Sequence, residues 1–280
     1  MCGIAGSIGV KNLTSKELLI LSEGIRHRGP DSDGIYVHTS EYYVSTTAKS
    51  LRDSRFEGNS ISLIHRRLSI IDLSSRSAQP FKCDDGDVVL VFNGEIYNYL
   101  EIRKELERDF GETFETNSDT EVVLKSYKRF GVNCFSKFNG FWAISILDKK
   151  KKTIILSRDY FGKKPLYLMP IRGGLFFSSE LKPLVSMINA PEIHSKAAFD
   201  YLVFDQRDAY TASLFDGIEE VRPGSYQVYS YEGIKLQEEL FWELPAVNNE
   251  AMNYKDVSAE YNRLLEQSVQ LRLRADVAID

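Results

Sequence analysis

The chain has 280 residues, 43% of them hydrophobic, with 35 Lys and Arg against 40 Asp and Glu, for a formal net charge of -5. That is enough for one large domain with a packed core, and the acidic balance argues against nucleic acid as a partner. Three cysteines without CxxC spacing (Cys2, Cys83, Cys134) argue against a disulfide framework or zinc site. No apolar run reaches the roughly 18 residues of a membrane span, so a cytoplasmic location in a reducing compartment is expected.

Ile4–Gly9 reads as a strand with Cys2 at its start. Thr14 and Glu17 form a capping-box pattern before a helix whose apolar side carries Leu18, Leu19, Leu21 and Ile25. Gly29-Pro30-Asp31 breaks that helix into a loop, and short strands follow near Gly34–Val37 and Tyr42–Thr46. Asp87–Phe92 is a continuous apolar strand that ends in Asn93-Gly94-Glu95. Helices are expected around Ile102, Leu106 and Phe110, and again from Ser118.

Phe141–Leu147 and Thr153–Ser157 read as a hairpin about the solvated run Lys149–Lys152. Phe141, Ala143 and Leu147 alternate with Trp142, Ile144 and Ile146, so both faces of that sheet must be covered. Further strands are expected at Leu166–Leu168 and Gly174–Ser178, with a hairpin of Ser225–Tyr231 and Ile234–Leu240 about Glu232-Gly233. A polar linker from Ala246 to Asn253 precedes a last helix from Tyr254 to Arg274 with Val257, Tyr261, Leu264, Leu265 and Leu271 on one face. Many antiparallel strands and a few helices with buried sheet faces make a layered α+β domain.

The chemistry starts at Cys2. Removal of Met1 would leave a thiol beside a free α-amine that titrates at about 7.7–8.0, low enough to accept the thiol proton near neutrality. Asn93-Gly94 has two readings: a type I′ turn, or Asn93 Nδ2 and the Gly94 N–H aimed at one oxyanion. Arg67, inside an apolar stretch, is either a surface ion-pair partner or a bidentate carboxylate fork. Ser118-Asp119-Thr120-Glu121 reads as a capping box that leaves Asp119 to present its carboxylate to an ammonium group. A molecule with an α-carboxylate for Arg67, an α-amine for Asp119 and Glu95, and a carbonyl for Cys2 is described by glutamine.

Met1–Gly6, Arg26–Asp31, Arg67–Asp72, Gln79-Pro80, Phe92–Asn98 and Ser118–Glu121 occur in that order, followed by Arg158–Tyr167, Phe177–Lys182 and Pro223-Gly224. Together they resemble the glutaminase domain of glutamine-hydrolysing asparagine synthetases. The resemblance implies an N-terminal-nucleophile hydrolase fold, an αββα sandwich of two antiparallel sheets between helical layers. It implies that residues 2–220 are a class II glutaminase domain, and that 221–280 are a connecting hairpin, a linker and the first helix of a synthetase domain. It also implies roles: Cys2 as nucleophile, Asn93 and Gly94 as oxyanion hole, and Arg67, Glu95 and Asp119 gripping glutamine. Leu68, Ser69, Ile70 and Ile71 would line the pocket.

Attack would give a glutamyl thioester and ammonia, and water would then release glutamate. The expected cofactor content is none, with ATP and Mg belonging to a synthetase half supplied separately or truncated. The alternatives are a glutaminase serving a sugar or other acceptor, and a non-catalytic scaffold if Met1 is retained. No Gly-rich phosphate cradle occurs in these residues, and Tyr160 stands where the family often has a charged residue. The last helix is expected to fold back on the domain, pair with another chain, or be poorly ordered, and a homodimer is one possible assembly.

Overall fold

The computed structural model describes residues 2–68, 72, 74–206, 212–246 and 253–274. In chain order, β1 (Gly3–Thr14) leads through α1 (Ser15–Gly24) to β2 (Ser32–His38), β3 (Tyr43–Thr46) and β4 (Arg55–Arg67). Then come β5 (Phe81–Lys82), β6 (Val88–Ile96), α2 (Tyr99–Phe110) and α3 (Asp119–Phe130). The chain continues through β7 (Gly140–Asp148), β8 (Thr153–Arg158), β9 (Tyr167–Ile171), β10 (Gly174–Ser178), α4 (Leu181–Val185) and α5 (Ser195–Phe204). It closes with β11 (Glu219–Glu220), β12 (Ser225–Ser230), β13 (Lys235–Leu240) and α6 (Tyr254–Arg272). One sheet has the order β11-β9-β10-β1-β4-β2-β3 and the other β13-β12-β8-β7-β6-β5, with every pairing antiparallel.

Strand periodicity builds the layers. Ile4, Leu63, Val89, Val91, Ala143 and Leu147 form the core between the sheets. Their neighbours Ala5 and Ile64 turn outward onto Leu18, Leu21 and Leu184 of α1 and α4. On the other sheet Leu90, Phe92, Trp142, Ile144 and Ile146 turn outward onto Ile102, Leu106, Val122 and Val123 of α2 and α3. A period of 2 with both faces covered gives the expected αββα sandwich.

Several local expectations appear as drawn, and others are corrected. Thr14 accepts from the Glu17 amide while Glu17 accepts from the Thr14 amide, a complete capping box. At α3 the box is only half made: Ser118 accepts from the Thr120 amide, but Glu121 binds the Thr116 amide and hydroxyl instead of reaching back. The loop 113–118 thus competes successfully for that carboxylate.

Past the expected boundary at 220/221, the β12–β13 hairpin pairs through β12 with β8, and its Tyr226 and Tyr229 are buried. Tyr160 has an apolar role: its hydroxyl donates to the Phe138 carbonyl at 2.7 Å and its ring packs on Trp142, Phe241 and Trp242. The linker expectation falls largely on residues 247–252, outside the described residues. Helix α6 keeps its apolar stripe exposed, with Val257 46% and Tyr261 64% accessible. At the end of the helix Arg272 lies over the Tyr97 and Phe141 rings, and just past it Arg274 pairs with Glu101.

Candidate active site

Antiparallel pairing brings the predicted residues to one end of the sandwich. β1 pairs with β4 so that Gly3 faces Arg66, which sets Cys2 beside Arg67 and Leu68. Asn93, Gly94 and Glu95 lie within β6, and Asp119 opens α3. Cys2, Arg67, Leu68, Asn93, Gly94, Glu95 and Asp119 all line one cleft with about 570 Å³ of atom-free space, its open mouth included. Ser69, Ile70 and Ile71 lie outside the described residues.

Cys2 Sγ lies 3.4 Å from the Leu68 amide, which donates to it, and 3.5 Å from the Leu68 carbonyl. Burial pushes the thiol pKa up, against the pull of the Leu68 amide and the Arg67 guanidinium. The sulfur therefore rests as a thiol and needs a base to become a nucleophile. Its backbone is clamped by Arg28, which donates to the Cys2 carbonyl at 2.9 Å and to Glu180 at 2.6 Å.

The turn reading of Asn93-Gly94 is excluded, because the pair sits inside β6 opposite Ala143 and Trp142 of β7. The same register explains the glycine: a Cβ on Gly94 would fall 2.1 Å from the Phe141 carbonyl oxygen and 2.6 Å from the Phe92 ring. Asn93 is buried, its Nδ2 held only by a long 3.5 Å contact with Ser179 Oγ and its Oδ1 without a partner among the described residues. A desolvated, loosely held amide is suited to meet charge that develops during a reaction.

Arg67 is buried, which removes the surface ion-pair reading. Its guanidinium donates to the Ser74 and Asp72 carbonyls and to Ser77 Oγ, so it also holds the loop that follows β4. Asp119 is buried and accepts from the Ile96 amide at 3.1 Å. Burial first, and the charge of Glu95 next, raise its pKa to about 7.

Sequence reasoning did not single out Lys164, which lines the same cleft. The signal was the Arg158–Tyr167 motif: buried Asp159 accepts from the Phe161, Lys163 and Lys164 amides and folds that loop back toward the cleft. Gln79 was also passed over as a site residue. It bridges Phe92 and Thr120, donating to the Phe92 carbonyl and Thr120 Oγ1 and accepting from the Phe92 amide. The cleft thus combines Arg67 and Lys164 with Glu95 and Asp119, charges of both signs around a thiol. Among the described residues no cluster of His, Cys, Asp or Glu is disposed to hold a metal, and no helix is long and apolar enough to cross a membrane.

Residues 50–242 match the family model described as a glutamine amidotransferase domain. The chain is 33% identical over 291 residues to asparagine synthetase (glutamine-hydrolyzing) 1 of Bacillus subtilis, covering 100% of this chain and 41% of that protein. It is 28% identical to amidase chry2 of Gibberella zeae, covering 100% of this chain and 40% of that protein. The chain spans about half or less of the curated relatives it matches, from 53% down to 34% of their length. Glutamine phosphoribosylpyrophosphate amidotransferase from B. subtilis, solved with ADP and GMP, shares the fold. Its TM-score is 0.62 at 22% identity, over 86% of this chain and 49% of that one.

Proposed function

The chain belongs to the glutamine amidotransferase domain family, and from that premise we propose that Cys2 takes the side-chain amide of glutamine apart. The observation that carries this reading is one cleft holding a thiol, a buried under-bonded Asn93 amide and charges of both signs. In the proposed mechanism the amine freed by loss of Met1 accepts the Cys2 proton as sulfur attacks the amide carbon. The oxygen, now an alkoxide, is met by Asn93 Nδ2 and the Gly94 N–H. Collapse breaks the C–N bond, the same amine returns the proton to nitrogen, and ammonia leaves a glutamyl thioester. Water, deprotonated by that amine, then releases glutamate.

Arg67 and Lys164 provide positive charge for the substrate carboxylate, and Asp119 and Glu95 provide negative charge for its ammonium. The asparagine-synthetase relatives favour asparagine formation as the destination of the ammonia, in an ATP- and Mg-dependent half. The relative named as an amidase favours the second reading, a different acceptor. Feeding labelled glutamine to the protein joined to its ATP-dependent half, with aspartate as acceptor, separates the two. Labelled asparagine supports the first and its absence the second.

The Asp119 role sets a pH dependence. An ammonium is bound by the ionised carboxylate, and a carboxyl with a pKa of about 7 is increasingly neutral below that pH. Glutamine affinity, measured by calorimetry on Cys2→Ala protein so that the thiol does not contribute, is expected to be level above pH 7. It should fall by up to about tenfold per pH unit below. Asp119→Asn should weaken binding at pH 8 and flatten that slope; an unchanged slope would remove Asp119 from ammonium binding. For Asn93→Ala the expectation is a loss of about 10²–10³ in kcat with KM little changed. A loss confined to KM would make Asn93 a binding group instead.

A further inference from the structure

Away from the cleft, polar groups gather where the β2–β3 edge of one sheet faces β5 of the other. Tyr36 and His38, two apart on β2, share a face, and Tyr36 is part of the inter-sheet core. Tyr43, opposite His38 in the register, stacks on Tyr36 with centroids 5.6 Å apart. Across the gap, Lys82 Nζ lies 5.1 Å from the Tyr36 ring centre and 5.2 Å from that of Tyr43. Lys149 Nζ lies 5.7 and 5.1 Å from the same two centres. Tyr231, just past β12, meets the His38 ring edge-on at 5.4 Å.

Two features of this cluster are costly without a ligand. Tyr36 Oη, His38 Nδ1 and Tyr231 Oη are all shielded from water and have no hydrogen-bond partner among the described residues, an expense for each group. Two ammonium groups also share one aromatic platform, and among the described residues neither Lys82 nor Lys149 has an ion pair. Their neighbours Lys150 and Lys151 do, with Asp87 and Asp148. The carboxylate of Asp148, adjacent in sequence, is engaged by the Tyr127 hydroxyl at 2.8 Å and by Lys151. Burial and the Lys149 charge hold His38 below its ordinary pKa, which keeps the ring neutral near pH 7.

We propose that this cluster is a second ligand site, for a phosphate group, with Lys82 and Lys149 supplying charge and Tyr36, Tyr231 and His38 supplying hydrogen bonds. Tyrosine hydroxyls and lysine ammonium groups are donors that an oxyanion accepts from, and a bound anion would relieve both costs together. The Lys149–Lys152 run is then divided in function: Lys149 turns inward to the ligand while Lys150 and Lys151 make surface pairs.

The test is titration with inorganic phosphate, chloride-matched for ionic strength, followed through the His38 ring signals by NMR. Saturable shifts with a rise in the His38 pKa are expected, and a Lys82→Gln/Lys149→Gln double variant should bind more than about tenfold more weakly. Tyr36→Phe, which removes one hydroxyl and little volume, should weaken phosphate binding without lowering Tm in its absence. Because that variant preserves the packing, it decides the matter even if the double variant fails to fold. A parallel titration with adenosine monophosphate distinguishes the source: tighter binding than inorganic phosphate points to a phosphate ester, and weaker binding to the free ion. His38 signals that ignore phosphate, or a Tyr36→Phe response equal to wild type, would overturn the proposal.

Discussion

Cys2→Ala is expected to lower glutamine hydrolysis by about 10⁴-fold or more, to the background of the uncatalysed amide, while glutamine still binds. The size follows from the role: without sulfur no thioester forms, and none of the other cleft residues is a nucleophile at this position. The fold should survive the change. Cys2 is only half buried and its side chain contacts Leu68 through two long hydrogen bonds, at 3.4 and 3.5 Å, whereas Arg28 holds its backbone independently of the sulfur. Ammonia release and calorimetric binding of glutamine to the same preparation make the check. Retained binding with lost turnover identifies a nucleophile; loss of both would identify a structural cysteine.

Layering was legible because the strands alternate on both faces. Trp142 and Ala143, adjacent in sequence, point into different cores, and an apolar residue at each position leaves only a sheet covered on both sides. The Thr14–Glu17 cap was equally local and equally readable. Asn93-Gly94 was not, because the dipeptide has a strong turn preference that says nothing of its partner strand. Only the register with β7 shows Gly94 to be required by the passing Phe141 backbone. The apolar stretch around Arg67 leaves it between a surface ion pair and a carboxylate fork, and its bonds to the Asp72 and Ser74 carbonyls depend on a loop that periodicity does not describe. Lys164 was missed for a related reason: its approach is set by Asp159, through backbone amides that carry no side-chain signature.

A second expectation of comparable size concerns the other half of the proposed couple, the amine of Cys2 itself. Burial raises the thiol pKa, so a base must take its proton, and no histidine is among the described residues lining the cleft; His65, the nearest in sequence to Arg67, is fully buried against the Phe92 carbonyl with its pKa pressed down to about 3. The α-amine of residue 2 is basic near neutral pH only when it is free, since an amide nitrogen is not a base. Loss of Met1 should therefore switch on catalysis without altering the pocket residues. The direct measurement is ammonia release from glutamine by two preparations whose amino termini are defined by intact mass, one beginning at Cys2 and one retaining Met1. Turnover is expected from the trimmed protein alone, with the other no faster than Cys2→Ala; equal release from both would contradict the pairing of this sulfur with its own amine.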